Sequence, residues 1–291
     1  MKETALERAL NRDRAIVAAA LALVLLASWI YVLTGAGMDM SAFAMSSVDM
    51  ALGRSDPSKS GTGGEIVAMS NAMSRMAMPV AWTGGYAILM FFMWWIMMIA
   101  MMLPSAAPMV LLFAKIARSP SAGINVSTAH WNTAAFTLGY LLCWAAFSIV
   151  AVALQRAFEA LGILSPMMLN STNALFAGSI LVLAGLYQMT PLKKACLEHC
   201  RSPIAFLSQN WRDGLGGALV MGLQHGVYCL GCCWGLMAIL FFGGIMNLYW
   251  IVGLAMIVFL EKLLPIGPRL GQITGVLLLA WGATFFYSAL V

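Results

Sequence analysis

The chain has 291 residues, of which 62% are hydrophobic and only 9% charged, with a formal net charge of +5 and a mean hydropathy of +0.88. A soluble domain carries about 25% charged residues, so this composition excludes one and indicates an integral membrane protein. A transmembrane barrel is excluded as well, because the apolar runs are continuous and do not alternate with period two.

In chain order, the polar stretch MKETALERALNRDR leads into an apolar run over 15–33, which is too long for the core of a signal peptide and is expected to be a retained anchor. Residues 34–82 form a long loop containing GRSDPSKSGTGG, a Gly/Ser/Pro linker. Further spans are expected at 86–113, 131–154, 174–189, 215–242, 245–260 and 270–290, each near the ~20 residues that cross a bilayer as a helix. Pro104 and Pro108 should kink or break the second of them. The fold expected is an all-α polytopic transmembrane bundle of about seven spans. It divides into an anchor (1–33), a Met-rich extracytoplasmic loop (34–82) and a six-helix membrane domain (83–291), with no internal repeat.

Orientation follows from Lys and Arg. With the N-terminus inside, Lys2, Arg8, Arg12, Arg14, Lys115, Arg118, Lys193, Lys194, Arg201, Arg212, Lys262 and Arg269 fall inside, and Arg54, Lys59, Arg75 and Arg156 fall outside. Twelve against four places the N-terminus inside and the C-terminus outside the membrane. The positive net charge is then a topological signal facing anionic lipid, and a nucleic-acid partner is not needed to explain it.

The chemistry-bearing stretch is MGLQHGVYCLGCCWGLM, residues 221–237. Taking His225 as zero on a helix, Met221 falls at about 320°, Cys229 at 40°, Cys232 at 340° and Cys233 at 80°, so all five share an arc of roughly 120°. A single buried Cys is a small hydrophobe; several soft donors on one intramembrane face suit Cu(I), and Cys with His also suits zinc. Gly222, Gly226, Gly231 and Gly235 would let neighbouring helices approach closely. The second span carries LMFFMWWIMMIAMMLP, in which Met90, Met93, Met97 and Met101 line one face and Met98 and Met102 form a second row. These methionines either fill the core or offer neutral thioethers along a dry path.

Two further clusters flank the spans. Met38, Asp39 and Met40 open a run of loop methionines (Met45, Met50, Met69, Met73, Met76, Met78) suited to weak copper capture, or to an amphipathic helix on the bilayer. On the inner side, TPLKKACLEHCRSP places Cys196, His199 and Cys200 beside Lys193, Lys194 and Arg201. In a reducing compartment such cysteines read as metal ligands or free thiols. Glu261-Lys262 reads as an interfacial ion pair ending the sixth span, and Tyr187, Gln188 and Gln224 as polar groups able to orient ligands.

Trp95-x-Met97-Met98-x-Ala100-Met101-Met102-x-Pro104, then Tyr187-Gln188-x-Thr190-Pro191-Leu192-Lys193 with Cys196-x-x-x-Cys200-Arg201-x-Pro203, then Gly231-Cys232-Cys233-Trp234 and Glu261-Lys262, resemble a bacterial domain-of-unknown-function family of predicted metal-binding integral membrane proteins, some labelled copper chaperones. The resemblance covers about residues 85–285 and implies metal binding at the matching Cys, His and Met residues.

The function expected is soft-metal binding, with copper as Cu(I) favoured over zinc, in transfer to a cuproenzyme client or exchange with a periplasmic metal chaperone. No catalytic residue is assigned, and no nucleotide-binding loop or phosphorylation motif supports pumping. A membrane thiol oxidoreductase using Cys229 and Cys232, a metal-dependent oxygenase and a structural subunit are the alternatives; homo-oligomerisation is left open.

Overall fold

The computed structural model describes residues 5–37, 42, 46, 82–118, 128–164, 171 and 173–290, with the side chains of 5–14 and 290 excepted. The Met-rich loop, including Met38 and Met40, lies outside the described residues. Apart from one isolated bridge between Leu164 and Ser171, the described residues are helices and short connections.

The helices are α1 (Ala5–Leu33), α2 (Gly84–Ala117), α3 (Ala129–Ala160), α4 (Ala174–Gln188), α5 (Pro191–Arg201), α6 (Pro203–Asn210), α7 (Gly214–Ala238), α8 (Leu240–Gly243), α9 (Leu248–Leu263) and α10 (Gly267–Leu290). Among the described residues five helical stretches are long and apolar enough to cross a membrane, or six if α4 and α5, bent by 62° at their junction, count as one. The remaining expected span, α9, has 16 residues. At 1.5 Å per residue that is about 24 Å, short of a hydrocarbon core of about 30 Å.

One expectation about helix breaks is revised. Pro104 and Pro108 do not break α2, which continues as one helix through both. The backbone at this level is served by side chains: the Met102 carbonyl accepts from Ser105 Oγ at 2.8 Å and from Tyr140 Oη at 3.3 Å. The sharp break comes instead at Thr190, before Pro191. Thr190 is extended (φ −72°, ψ 148°), as a residue preceding proline prefers, and its Oγ accepts from Lys193 N at 3.3 Å to cap α5.

Helix contacts in this bundle are made by glycine, as expected for a medium where apolar side chains gain nothing by leaving lipid. A Cβ at Gly222 would collide with the Phe136 carbonyl of α3, and one at Gly139 would stand 2.8 Å from Leu223 N of α7. The α4–α10 pair uses the same device twice: a Cβ on Gly185 would lie 2.8 Å from Gly275 O, and one on Gly178 3.1 Å from Gly282 O. The four glycines between the α7 donors each admit a neighbour. Gly222 and Gly226 receive α3 (Phe136 and Cys143), Gly231 receives Cys196 of α5, and Gly235 receives Tyr187 of α4. Because backbone blocks the way, Gly222→Leu should cost more than the ~1–3 kcal/mol typical of overpacking. The expected outcome is loss of the monodisperse peak on size-exclusion chromatography in detergent, whereas Gly216→Ala, with open space around it, should elute normally.

Candidate metal centre

α7 stands at the middle of the site, and its glycines bring three other helices to it. Cys229, Cys232 and Cys233 are buried. The Cys232 and Cys233 thiols donate to the Cys229 carbonyl at 3.0 and 2.9 Å, the bond a thiol makes one turn along a helix when no better acceptor is present. α5 adds Cys200, whose half-buried thiol is brought close enough to interact with those of Cys229 and Cys232. α2 adds a thioether, Met102 Sδ, 3.7 Å from Cys233 Sγ. α3 adds Tyr140, whose Oη lies 3.2 Å from Cys229 Sγ.

The fifth contribution comes from α9. Lys262 Nζ donates to Cys229 Sγ at 2.9 Å and to Ser105 Oγ at 3.1 Å. Lys262 is 7% exposed and its neighbour Glu261 1%, so neither sits at an aqueous interface. The expectation that they pair with each other is corrected: successive helical residues point about 100° apart and reach different helices. Glu261 Oε2 meets Lys193 Nζ of α5 at 2.6 Å, and Glu261 Oε1 accepts from Gln188 Nε2 of α4 at 3.1 Å. Lys193 also donates to Gln188 Oε1, and Arg201 Nη1 donates to the Glu261 carbonyl at 3.4 Å. One dipeptide therefore fastens the bent α4–α5 pair with its first residue and the thiols with its second.

The methionine row is buried throughout: Met90, Met93, Met97, Met98, Met101 and Met102 are each at most 1% exposed. Met90 Sδ accepts from Gln155 Nε2 at 3.4 Å. Gln155, itself fully buried, also donates to Glu159 Oε1 at 2.9 Å and accepts from Trp94 Nε1 at 2.9 Å. The row thus joins two polar clusters separated by twelve residues of helix, about 18 Å of rise.

The remaining α7 and α5 residues are distributed more widely than the helical arc suggests. Met221 packs with Met109, Val110, Phe113, Phe136 and Phe206 in a separate apolar cluster. His225 stacks with Tyr140 (centroids 5.7 Å) and Phe136 (6.2 Å) and meets Phe206 edge-on, and its Nδ1 has no hydrogen-bond partner among the described residues. Cys196 is half-buried against Gly231. His199 is exposed, stacked on Tyr228 at 4.4 Å, with Nδ1 2.9 Å from the Ala195 carbonyl. Sharing an arc is not sharing a centre, because the rise from Met221 to Cys233 is about 18 Å.

Among the described residues no group of three or more His, Cys, Asp or Glu is arranged to hold a metal ion, and all six cysteines are free. The Cys232 and Cys233 thiols turn to the Cys229 carbonyl and to Met102 Sδ and do not converge on a common centre. A tetrahedral zinc site, with four donors fixed about one point, is not what this cluster offers. Thiols packed against a thioether still fit a soft cation needing few donors, which is the chemistry of Cu(I).

Helices of this length and composition mark a helical membrane protein, with a thiol–thioether cluster in its interior. The chain belongs to the PpoB2 copper chaperone family, whose profile matches residues 91–285. The match spans α2 through most of α10 and includes each thiol of the cluster, Met102 and Lys262. No curated protein and no solved structure matches.

Proposed function

We propose that this protein carries Cu(I) within the bacterial inner membrane and hands it to a cuproenzyme or its chaperone, holding the ion at the two thiols of Cys229 and Cys232 with Cys200, Cys233 and Met102 adjoining. The single observation that carries the reading is the 3.7 Å contact between Met102 Sδ and Cys233 Sγ, which makes the buried thioether row continuous with the thiol cluster. Thioethers alone hold a soft cation weakly and without net charge; thiolates hold it tightly. A run of the first ending in a cluster of the second is a gradient of affinity.

Lys262 supports the same reading through charge. Two thiolates on Cu(I) leave one net negative charge, costly in a buried site unless compensated. The ammonium already in contact with Cys229 Sγ supplies that compensation. In the topology proposed, the N-terminus is inside, α4–α5 is one bent span and α9 a short seventh. The thiols then lie in the inner half of the bilayer and the Met90 end of the row faces outward. His199 and Cys196, at the exposed edge of α5, are placed to receive copper leaving inward or to supply it.

Elemental analysis of the purified protein, loaded anaerobically with Cu(I), tests this. Close to one tightly held copper per chain is expected, with thiolate-to-Cu(I) absorption in the ultraviolet and no reversible disulfide under thiol trapping. Metal-free preparations with a trapped Cys229–Cys232 or Cys200–Cys232 bond would replace the copper reading with thiol exchange.

A further inference from the structure

The opposite end of the methionine row carries a polar constellation that its structural role alone does not explain. Gln155 is fully buried one turn from Glu159 on α3, and its single amide nitrogen bridges two acceptors of different kind: Glu159 Oε1 at 2.9 Å and Met90 Sδ at 3.4 Å. A thioether is a weak acceptor, and a buried amide N–H given only that partner is poorly satisfied. The remaining contacts fix both residues in place. Trp94 Nε1 holds the Gln155 oxygen at 2.9 Å, and Trp82 Nε1 holds Glu159 Oε2 at 2.9 Å. Arg156 lies over the Trp82 ring, 6.0 Å from its centroid, so this nearby cation is engaged with an indole, and among the described residues no ion pair joins it to Glu159.

The consequence is geometric. A carboxylate oxygen and a thioether sulphur each accept one of the two hydrogens of the same amide nitrogen, so both lie within reach of the place that nitrogen occupies. At the thiol end the same relation recurs: Lys262 Nζ, a true cation, bridges Cys229 Sγ and Ser105 Oγ. Each end of the row has a nitrogen donor beside the sulphur and oxygen lone pairs that could instead be given to a metal ion. The two ends differ in hardness. Glu159 is half-exposed and Met90 fully buried, so an ion arriving from water meets oxygen first and sulphur second.

We propose that Glu159 and Met90 form a second copper site, a loading site at which a hydrated copper ion is held by the carboxylate and exchanges water for its first thioether, the Gln155 amide swinging aside. The class of ligand is a soft univalent cation, Cu(I) or its redox-inert analogue Ag(I). The carboxylate supplies the charge that a bare thioether row lacks and so offsets the cost of dehydration. No bond is made or broken except metal–ligand bonds, and no electron moves. The site rests on the methionine row being the copper route, but it binds through its own two donors and does not require the thiols.

That independence sets the experiment. Anaerobic equilibrium dialysis with Ag(I) is run on the full-length protein and on C229S/C232S, each with and without Glu159→Gln or Met90→Leu. The wild type should hold one tight and one weaker ion, and C229S/C232S should keep the weaker one. In that background Met90→Leu and Glu159→Gln should each weaken the remaining ion by about tenfold or more, the range in which losing one partner around a metal falls. Met90→Leu conserves volume and should leave thermal unfolding unchanged, which separates lost binding from lost fold. An unchanged weak site in both variants would overturn the proposal, as would its absence from C229S/C232S. Failure of the thiol reading shows separately, as a wild type that binds no more tightly than C229S/C232S.

Discussion

Replacing Cys229 and Cys232 together by Ser should leave a folded, monodisperse protein whose tightly bound Cu(I) falls from near one per chain to background. The fold should survive because the change is small and the packing around these positions does not depend on sulphur alone. Cys232 Sγ bonds to a backbone carbonyl one turn back, a role a Ser hydroxyl takes over directly, and Cys229 Sγ accepts from Lys262 and shares a hydrogen bond with Tyr140 Oη, as a hydroxyl can. The metal should be lost because hydroxyls are hard, do not ionise at neutral pH and have little affinity for Cu(I). Both the soft donors and the counter-charge to Lys262 vanish at once. Single replacements should be graded. Cys200→Ser removes the thiol that α5 brings to Cys229 and Cys232 and should weaken retention in competition with a chromogenic Cu(I) chelator, and Cys233→Ser, whose thiol turns to Met102 Sδ, should weaken it least. Copper content by mass spectrometry, read against protein from the same size-exclusion peak, checks the series.

The helices and the soft character of the centre were legible in the sequence; the membership of the centre was not. Continuous apolar runs and proline positions marked most helix boundaries, and the α7 glycines pointed to close neighbours that the structure supplies. The helical wheel grouped Met221 and His225 with the thiols because it records angle and not height along the axis. The structure gives those two to an aromatic and apolar layer and brings Cys200 and Met102 from other helices in their stead. Lys262 looked like a helix-end anchor because Lys at the end of an apolar run ordinarily reaches for water. Its burial follows from α9 being short and its end being enclosed by α2, α5 and α7, which no local pattern encodes. Gln155 and Glu159 did carry a signal, two polar residues at i and i+4 near the end of an apolar helix, but their partner Met90 lies 65 residues away.

Glu261→Ala should be among the most destabilising single changes in the bundle and should disturb the centre without touching a thiol. Glu261 and Lys193 form an ion pair with both side chains 2% exposed, and removing one partner of such a pair costs about 3–5 kcal/mol because the other charge stays buried. Gln188 Oε1 still accepts from Lys193 in the variant, but it supplies a dipole where a charge was. The loss falls on a particular place: Lys193 opens α5, the helix carrying Cys200, and its bend from α4 is fixed otherwise by the Thr190 cap and by Arg201 reaching the Glu261 and Pro265 carbonyls. Loosening this fastening should let α5 swing from α7. Thermal unfolding in detergent should shift down, and Cys200 in folded Glu261→Ala should react faster with a maleimide than in the wild type. Lys193→Met combined with Glu261→Leu removes both charges and refills the space, so it should recover most of the stability, as apolar replacements of buried pairs do. If the charge pair serves only to hold α5 in place, the double variant should also recover slow Cys200 labelling and copper retention. If stability returns while copper does not, the charge of Glu261 acts on the metal centre itself, one residue from the ammonium on Cys229.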